Sequence, residues 1–141
     1  MKKAGLLLAL LLLVLTGCGS SKAPKIEAHS WVMTSVQSME VGGQAVAYGQ
    51  RGSSTLEGAK QIELLCQAKD GKLTLTDQTN NQTYTGTYQQ SQVDPSSILY
   101  EVEVEGKEGV AVAAMTTYQD GSQEPTLILN LGDHTVNFFA E

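Results

Sequence analysis

The chain has 141 residues, of which 41% are apolar and 17% charged, with 14 glycines and three prolines. That excludes a charge-rich disordered chain, a multi-span membrane protein and a collagen-like or Pro-rich fibre, and it leaves room for one domain with its own core. The formal charge of −6 becomes −8 once Lys2 and Lys3 of an N-terminal targeting segment are set aside; such acidity repels phosphate backbones and disfavours docking on anionic lipid through a basic patch, so no nucleic-acid partner is expected.

Met1-Lys2-Lys3 is a short basic start, and Ala4 to Leu15 is an unbroken apolar run dominated by leucine. The run is too short for a bilayer span, which takes roughly 20 residues, and suits the hydrophobic region of a signal peptide. Leu15-Thr16-Gly17-Cys18 follows and resembles the lipobox of bacterial lipoproteins. The resemblance implies cleavage before Cys18, a diacylglyceryl thioether on its sulfur and an acyl chain such as palmitate on the new amine. It places the protein on the extracytoplasmic side of a cell membrane or outer membrane, held by lipid. Residues 1–17 are then the signal peptide. Residues 18–28, which include the small polar run Gly19 to Lys25, read as a flexible tether, and 29–141 as a single domain.

From Trp31 onward, turn-forming pairs recur every eight to twelve residues: Gly42-Gly43, Asp70-Gly71, Asn80-Asn81, Asp94-Pro95, Gly106-Lys107, Asp120-Gly121 and Gly132-Asp133. Between them the residues alternate as strands do. Ser54 to Lys69 is ambiguous. Ser54 and Glu57 form a capping box for a helix, yet Ile62, Leu64, Cys66 and Ala68 alternate, and a strand over Ile62 to Lys69 is favoured. Leu73 and Leu75 share one face. So do Tyr84, Gly86 and Tyr88, then Tyr100, Val102 and Val104 against Glu101, Glu103 and Glu105. Val110 to Met115 is apolar on both faces and predicts a strand buried on both sides. Leu127, Leu129 and Leu131, then Val136 and Phe138, close the pattern. About eight strands joined by tight turns predict an all-β, antiparallel up-and-down meander, and closure into a small barrel removes its exposed edges.

Trp31 ahead of a meander, together with the hairpin segment Asp70 to Tyr88 (DGKLTLTDQTNNQTYTGTY), resembles the small lipocalin-like barrels carried by bacterial surface lipoproteins. The resemblance implies a barrel and a non-catalytic binding module. Trp31, Tyr84, Tyr88 and Tyr100 are the candidate ligand-binding residues for a small apolar or amphipathic molecule held inside. Gly86 between Tyr84 and Tyr88 either leaves a gap for a ligand or fits a bend in a packed wall. The alternative is a filled barrel that binds an envelope protein or cell-wall component through an edge or a loop such as Gly49 to Lys60.

The sequence offers little chemistry. With Cys18 committed to lipid, Cys66 is a lone thiol among apolar neighbours and reads as buried and inert. His29 and His134 lie near strand ends and, with Asp133, are the only candidates for a metal; the acidic stripe Glu101, Glu103 and Glu105 reads as a solvated face. Phosphate loops, metal-ligand spacings and a nucleophile elbow are missing. No cofactor, metal or catalytic residue is predicted, and the protein is read as not an enzyme.

Overall fold

The computed structural model describes residues 22–141. The signal peptide predicted over 1–17 and the lipid attachment site Cys18 lie outside the described residues. A short 3-10 turn, Ile26–Ala28, precedes ten strands: β1 (Trp31–Ser38), β2 (Gln44–Tyr48), β3 (Lys60–Gln61), β4 (Leu64–Lys69), β5 (Lys72–Asp77), β6 (Gln82–Val93), β7 (Ser97–Val104), β8 (Lys107–Thr117), β9 (Gln123–Leu131) and β10 (His134–Ala140). Strands β4 to β10 form a continuous antiparallel meander. β1 pairs with β10 on one side and, through Trp31 and Val32, with Cys66 and Leu65 of β4 on the other. The result is the closed, eight-stranded up-and-down barrel expected from the alternation.

Six of the seven predicted turn pairs fall between strands. At the β4–β5 connection Asp70 and Gly71 both take positive φ (52° and 80°), which matches a two-residue hairpin to the twist of its strands. One centre is shifted from expectation. The β7–β8 turn is Glu105-Gly106, with Glu105 at φ 50°, so Glu105 leaves the acidic stripe. Its carboxylate instead accepts the Thr85 backbone N–H at 2.9 Å.

The ambiguous segment resolves into strand. Leu64–Lys69 is β4, preceded by the two residues of β3 and a turn near Leu56 to Gly58. One pairing departs from a pure meander, because β3 runs parallel to β2. The cause is the shape of β1. Its first residues pair with β4, but from Ser35 onward its partner is β2. β1 and β4 therefore diverge along their length, and β2 fills the wedge between them. The divergence starts at a bulge between Met33 and Ser35, which frees the Thr34 carbonyl to accept the Gly49 N–H at 2.9 Å.

Inward positions make the core. Trp31, Met33, Tyr100, Leu73, Leu127, Leu129 and Phe138 are wholly or almost wholly buried. Small residues sit beside large ones: Ala111 pairs with Leu129 and Ala113 with Leu127, as a narrow barrel requires. The expectation that β8 is buried on both sides is corrected. Ala111 and Ala113 face the core, but Val110 is 37% exposed, and Ile128, opposite Val112 on the outer wall, is 39% exposed. Among the described residues no second layer covers β8 and β9.

One end of the barrel is plugged by the chain's own N-terminal segment. Ile26, expected in the tether, is completely buried. Its N–H donates to the Tyr100 hydroxyl (3.0 Å), and its carbonyl accepts the indole N–H of Trp31 (2.8 Å). A buried peptide group must be paired, and these two ring substituents do it. The folded domain therefore begins before His29.

Two substitutions test this packing. Tyr100→Phe leaves the Ile26 N–H unpaired and should lower unfolding free energy by about 1–3 kcal/mol in urea titrations. A Cβ on Gly86 would stand 1.9 Å from the Glu103 carbonyl oxygen, so Gly86→Ala should lower it by about 1–3 kcal/mol through strain between β6 and β7.

Candidate functional site

The four residues proposed to line a ligand pocket do not converge on one space. Trp31 and Tyr100 are buried and engaged with the plug. Tyr88 joins them: its ring meets Tyr100 edge-on at 5.9 Å, and its hydroxyl donates to Glu27 at 2.9 Å. Tyr84 lies toward the opposite end of the barrel, 37% exposed, with its hydroxyl donating to Gln82. Gly86 fits the packed-wall alternative, since its missing side chain is replaced by the close backbone of β7.

The other candidates are also separated. His29 packs edge-on against Trp31 near the plug, at 5.4 Å between ring centroids. His134 opens β10 opposite Ser38, at the far end. They do not meet, and among the described residues no group of three histidine, cysteine or acidic side chains is placed to hold a metal ion. Cys66 is buried, and loss of water pushes its thiol up to about 12.

The most organised polar cluster is on the outer wall, where the wedge loop crosses to β9 and β10. The turn Gly49-Gln50-Arg51-Gly52 closes with the Gly52 N–H on the Gly49 carbonyl. A Cβ on Gly52 would lie 2.0 Å from the Thr34 carbonyl oxygen, so only glycine lets the loop lie against the bulge of β1. This seat forces Arg51 to φ 63°. Its guanidinium carbon lies 4.1 Å from the Phe139 ring centroid, and Nη2 donates to Oε1 of Glu124 at 2.7 Å. The Tyr118 hydroxyl donates to the same oxygen. Tyr118 is fixed by the β8–β9 turn: its N–H bonds the Ser122 carbonyl, and Asp120 accepts both the N–H and the hydroxyl of Ser122.

These residues border a groove of about 400 Å³, floored by Thr116, Thr126, Ile128 and Asn137. The Thr116 and Thr126 hydroxyls bond each other at 2.8 Å. Among the described residues no donor reaches Oε2 of Glu124. That oxygen and the remaining guanidinium N–H groups are the groove's polar handles. The hydrogen bonds set the protonation states. Arg51 lowers Glu124 first and Tyr118 second, while Glu124 raises both Arg51 and Tyr118.

Magnitudes indicate what this cluster is for. A left-handed non-glycine residue costs about 1–3 kcal/mol. The Arg51 and Glu124 side chains are 51% and 25% exposed, and such a pair returns about 0.2–1 kcal/mol. An exposed cation–π contact adds about 0.5–1 kcal/mol. The contacts, about 0.7–2 kcal/mol together, are of the same size as the strain, so the arrangement adds little net stability. Sequence reasoning singled out the loop Gly49 to Lys60 but not Tyr118, Glu124 or Phe139. The local signal for Arg51 is the pair of flanking glycines, Gly49 and Gly52.

Comparison of the chain with protein-family models, with curated proteins and with solved structures found no match.

The buried thiol gives a pH test. Its folded value of about 12 lies above the ordinary 9.0, so above about pH 9 the unfolded chain holds fewer protons than the folded one. Stability must fall as pH rises from 9 towards 12. The urea midpoint of Cys66→Ala should fall less steeply over that range than that of the parent chain. Equal slopes would show that the thiol does not titrate with unfolding.

Proposed function

We propose that this protein is a lipid-anchored, extracytoplasmic, non-catalytic interaction module, which captures an envelope protein on the groove beside Arg51. The observation that carries the reading is Arg51 itself: a charged residue held in a left-handed conformation and laid over Phe139 beside an open groove, with contacts of about the same size as its strain. The groove combines donors on Arg51, an acceptor on Glu124 and an apolar floor at Ile128, which suits a partner's backbone amides and one apolar side chain.

A small ligand inside the barrel is less well supported. Two of its four proposed contacts, Trp31 and Tyr100, are bonded to Ile26 of the plug. The non-catalytic reading is supported by the distance between the two histidines along the barrel and by the buried, protonated state of Cys66. The lipid anchor is supported by the sequence Leu15-Thr16-Gly17-Cys18.

Two experiments test the proposal. Cells grown with labelled palmitate should label the chain, and Cys18→Ser should abolish the label. A photo-crosslinking amino acid at Thr126, on the groove floor, should give a discrete adduct with one envelope protein, while the same group at Thr74, on the outer wall of β5, should not. Arg51→Gly accepts the left-handed backbone yet removes the guanidinium. It should keep the unfolding free energy within about 1 kcal/mol of the parent in urea titrations and lose most of the adduct. An undiminished adduct in that variant would refute the role of the groove.

A further inference from the structure

The outer wall of β8 and β9 is apolar where it meets solvent. Val110 is 37% exposed and Ile128 39%. Half-buried Val112 stands directly between Leu99 of β7 and Ile128 of β9. Leu99, Val112 and Ile128 thus form one row across three strands, with Val110 two positions further along β8. Single exposed apolar residues are ordinary on a surface, but a connected row is a candidate contact. The row begins on the floor of the Arg51 groove, because Ile128 belongs to both.

The other side of the row is acidic. On β7, Glu101 lies directly opposite Val110, and Glu103 lies directly opposite Glu108 of β8. Glu105 has left the expected stripe for its turn, and Glu108 takes a place in it. With Thr87, Gln89 and Val110, these three acids border a second depression, of about 660 Å³. Like charges directly opposite in a sheet are unfavourable, and none of the three carboxylates has a hydrogen bond or ion pair among the described residues. Two lysines approach this surface from its edges, and neither pairs with it. Lys107 stands opposite buried Val104, and Lys72 is two strands away across Thr87. Among the described residues the acids are not placed to hold a metal ion. The surface therefore suits a cationic side chain that arrives with a partner's apolar segment.

We propose that the partner segment held beside Arg51 continues across β9 and β8, lays apolar side chains on Ile128, Val112 and Val110, and sets a lysine or arginine against Glu101, Glu103 and Glu108. This rests on capture of a partner at the Arg51 groove, and it names that partner's chemistry: an apolar stretch followed by a basic residue. From Ile128 to Glu101 the wall runs two strand spacings across and two residues along, about 12 Å in all, or roughly four residues of extended chain. The basic residue therefore sits about two to five positions from the apolar anchor. A segment without that charge gains the apolar contact but leaves the repulsion between Glu103 and Glu108 in place, so the acids select among apolar partners.

The test uses the full chain in cells, with a photo-crosslinking amino acid at Val110 or, separately, at Thr126. Both sites should give an adduct of the same mass, and digestion should find a lysine or arginine within about five residues of the captured positions. Glu103→Gln with Glu108→Gln removes the charge and the repulsion together. The urea midpoint of that variant should stay at or above that of the parent, while its Val110 adduct should fall several-fold. An adduct at Thr126 with none at Val110, a Val110 adduct indifferent to the double substitution, or a captured segment without a basic residue overturns this inference and leaves the groove standing. No adduct at either site overturns both. Adducts of twice the chain's own mass mark a second copy as the partner and overturn the basic segment.

Discussion

The peptide group of Ile26 is the constraint on which the rest of the molecule depends. A wholly buried N–H and C=O without partners would cost several kcal/mol. Here both are satisfied by ring substituents, the hydroxyl of Tyr100 from the distant β7 and the indole of Trp31 from the start of β1. This clamp ties the N-terminal segment to β1 and β7, closes one end of the barrel, and turns the residues that would line a cavity there into core. It also fixes where the chain leaves the domain. A filled, plugged barrel directs attention to the outer wall, and a fixed exit decides which end lies nearest the N-terminus.

A second consequence follows from the bulge in β1. An extra residue between Met33 and Ser35 splays β1 from β4 and admits β2 into the gap. The same bulge presents the Thr34 carbonyl to the loop that returns from β2, and Gly52 allows the loop to settle against it. Arg51 is the residue left at the crest, with a backbone conformation set by its neighbours rather than by its own preference. Its side chain then spans β1 and β10 to reach a carboxylate on β9. The groove is thus a product of the closure geometry of the barrel, assembled from three parts of the sequence that share no local pattern.

That distinction explains what the sequence made legible. Period-two alternation in Leu73 and Leu75, and in Tyr100, Val102 and Val104, reports a wall with one wet and one dry face. Asp70-Gly71 and its counterparts report turns through their tolerance of positive φ. Both are local signals, and the meander and its closure follow from them. Glu105 has no such preference, and its turn position is set by its bond to Thr85, twenty residues away. Ile26 is a single apolar residue in a polar segment, and its burial depends on rings that only the closed barrel brings together. The pair of Arg51 and Glu124 spans 73 residues. β8 misled for the opposite reason. Its apolar outer face, Val110 and Val112, is genuine in the sequence, but hydrophobicity alone does not say whether a second layer exists to cover it.

The proposed anchor, the plug and the groove also constrain one another. Tyr118 and Glu124 flank the β8–β9 turn, which lies at the same end of the barrel as the plug, and the groove rises from there along β9 towards Ile128. If the chain is held by lipid at Cys18, as proposed, the end where it leaves the barrel lies nearest the membrane, and the groove opens sideways above it. A partner must then present its binding segment at that low height, parallel to the bilayer, which favours another membrane-held protein over a freely diffusing one. Confinement to the same surface raises the effective concentration of the two partners. A shallow groove with one charged clamp and a small apolar floor can then suffice for an encounter that would be weak in free solution.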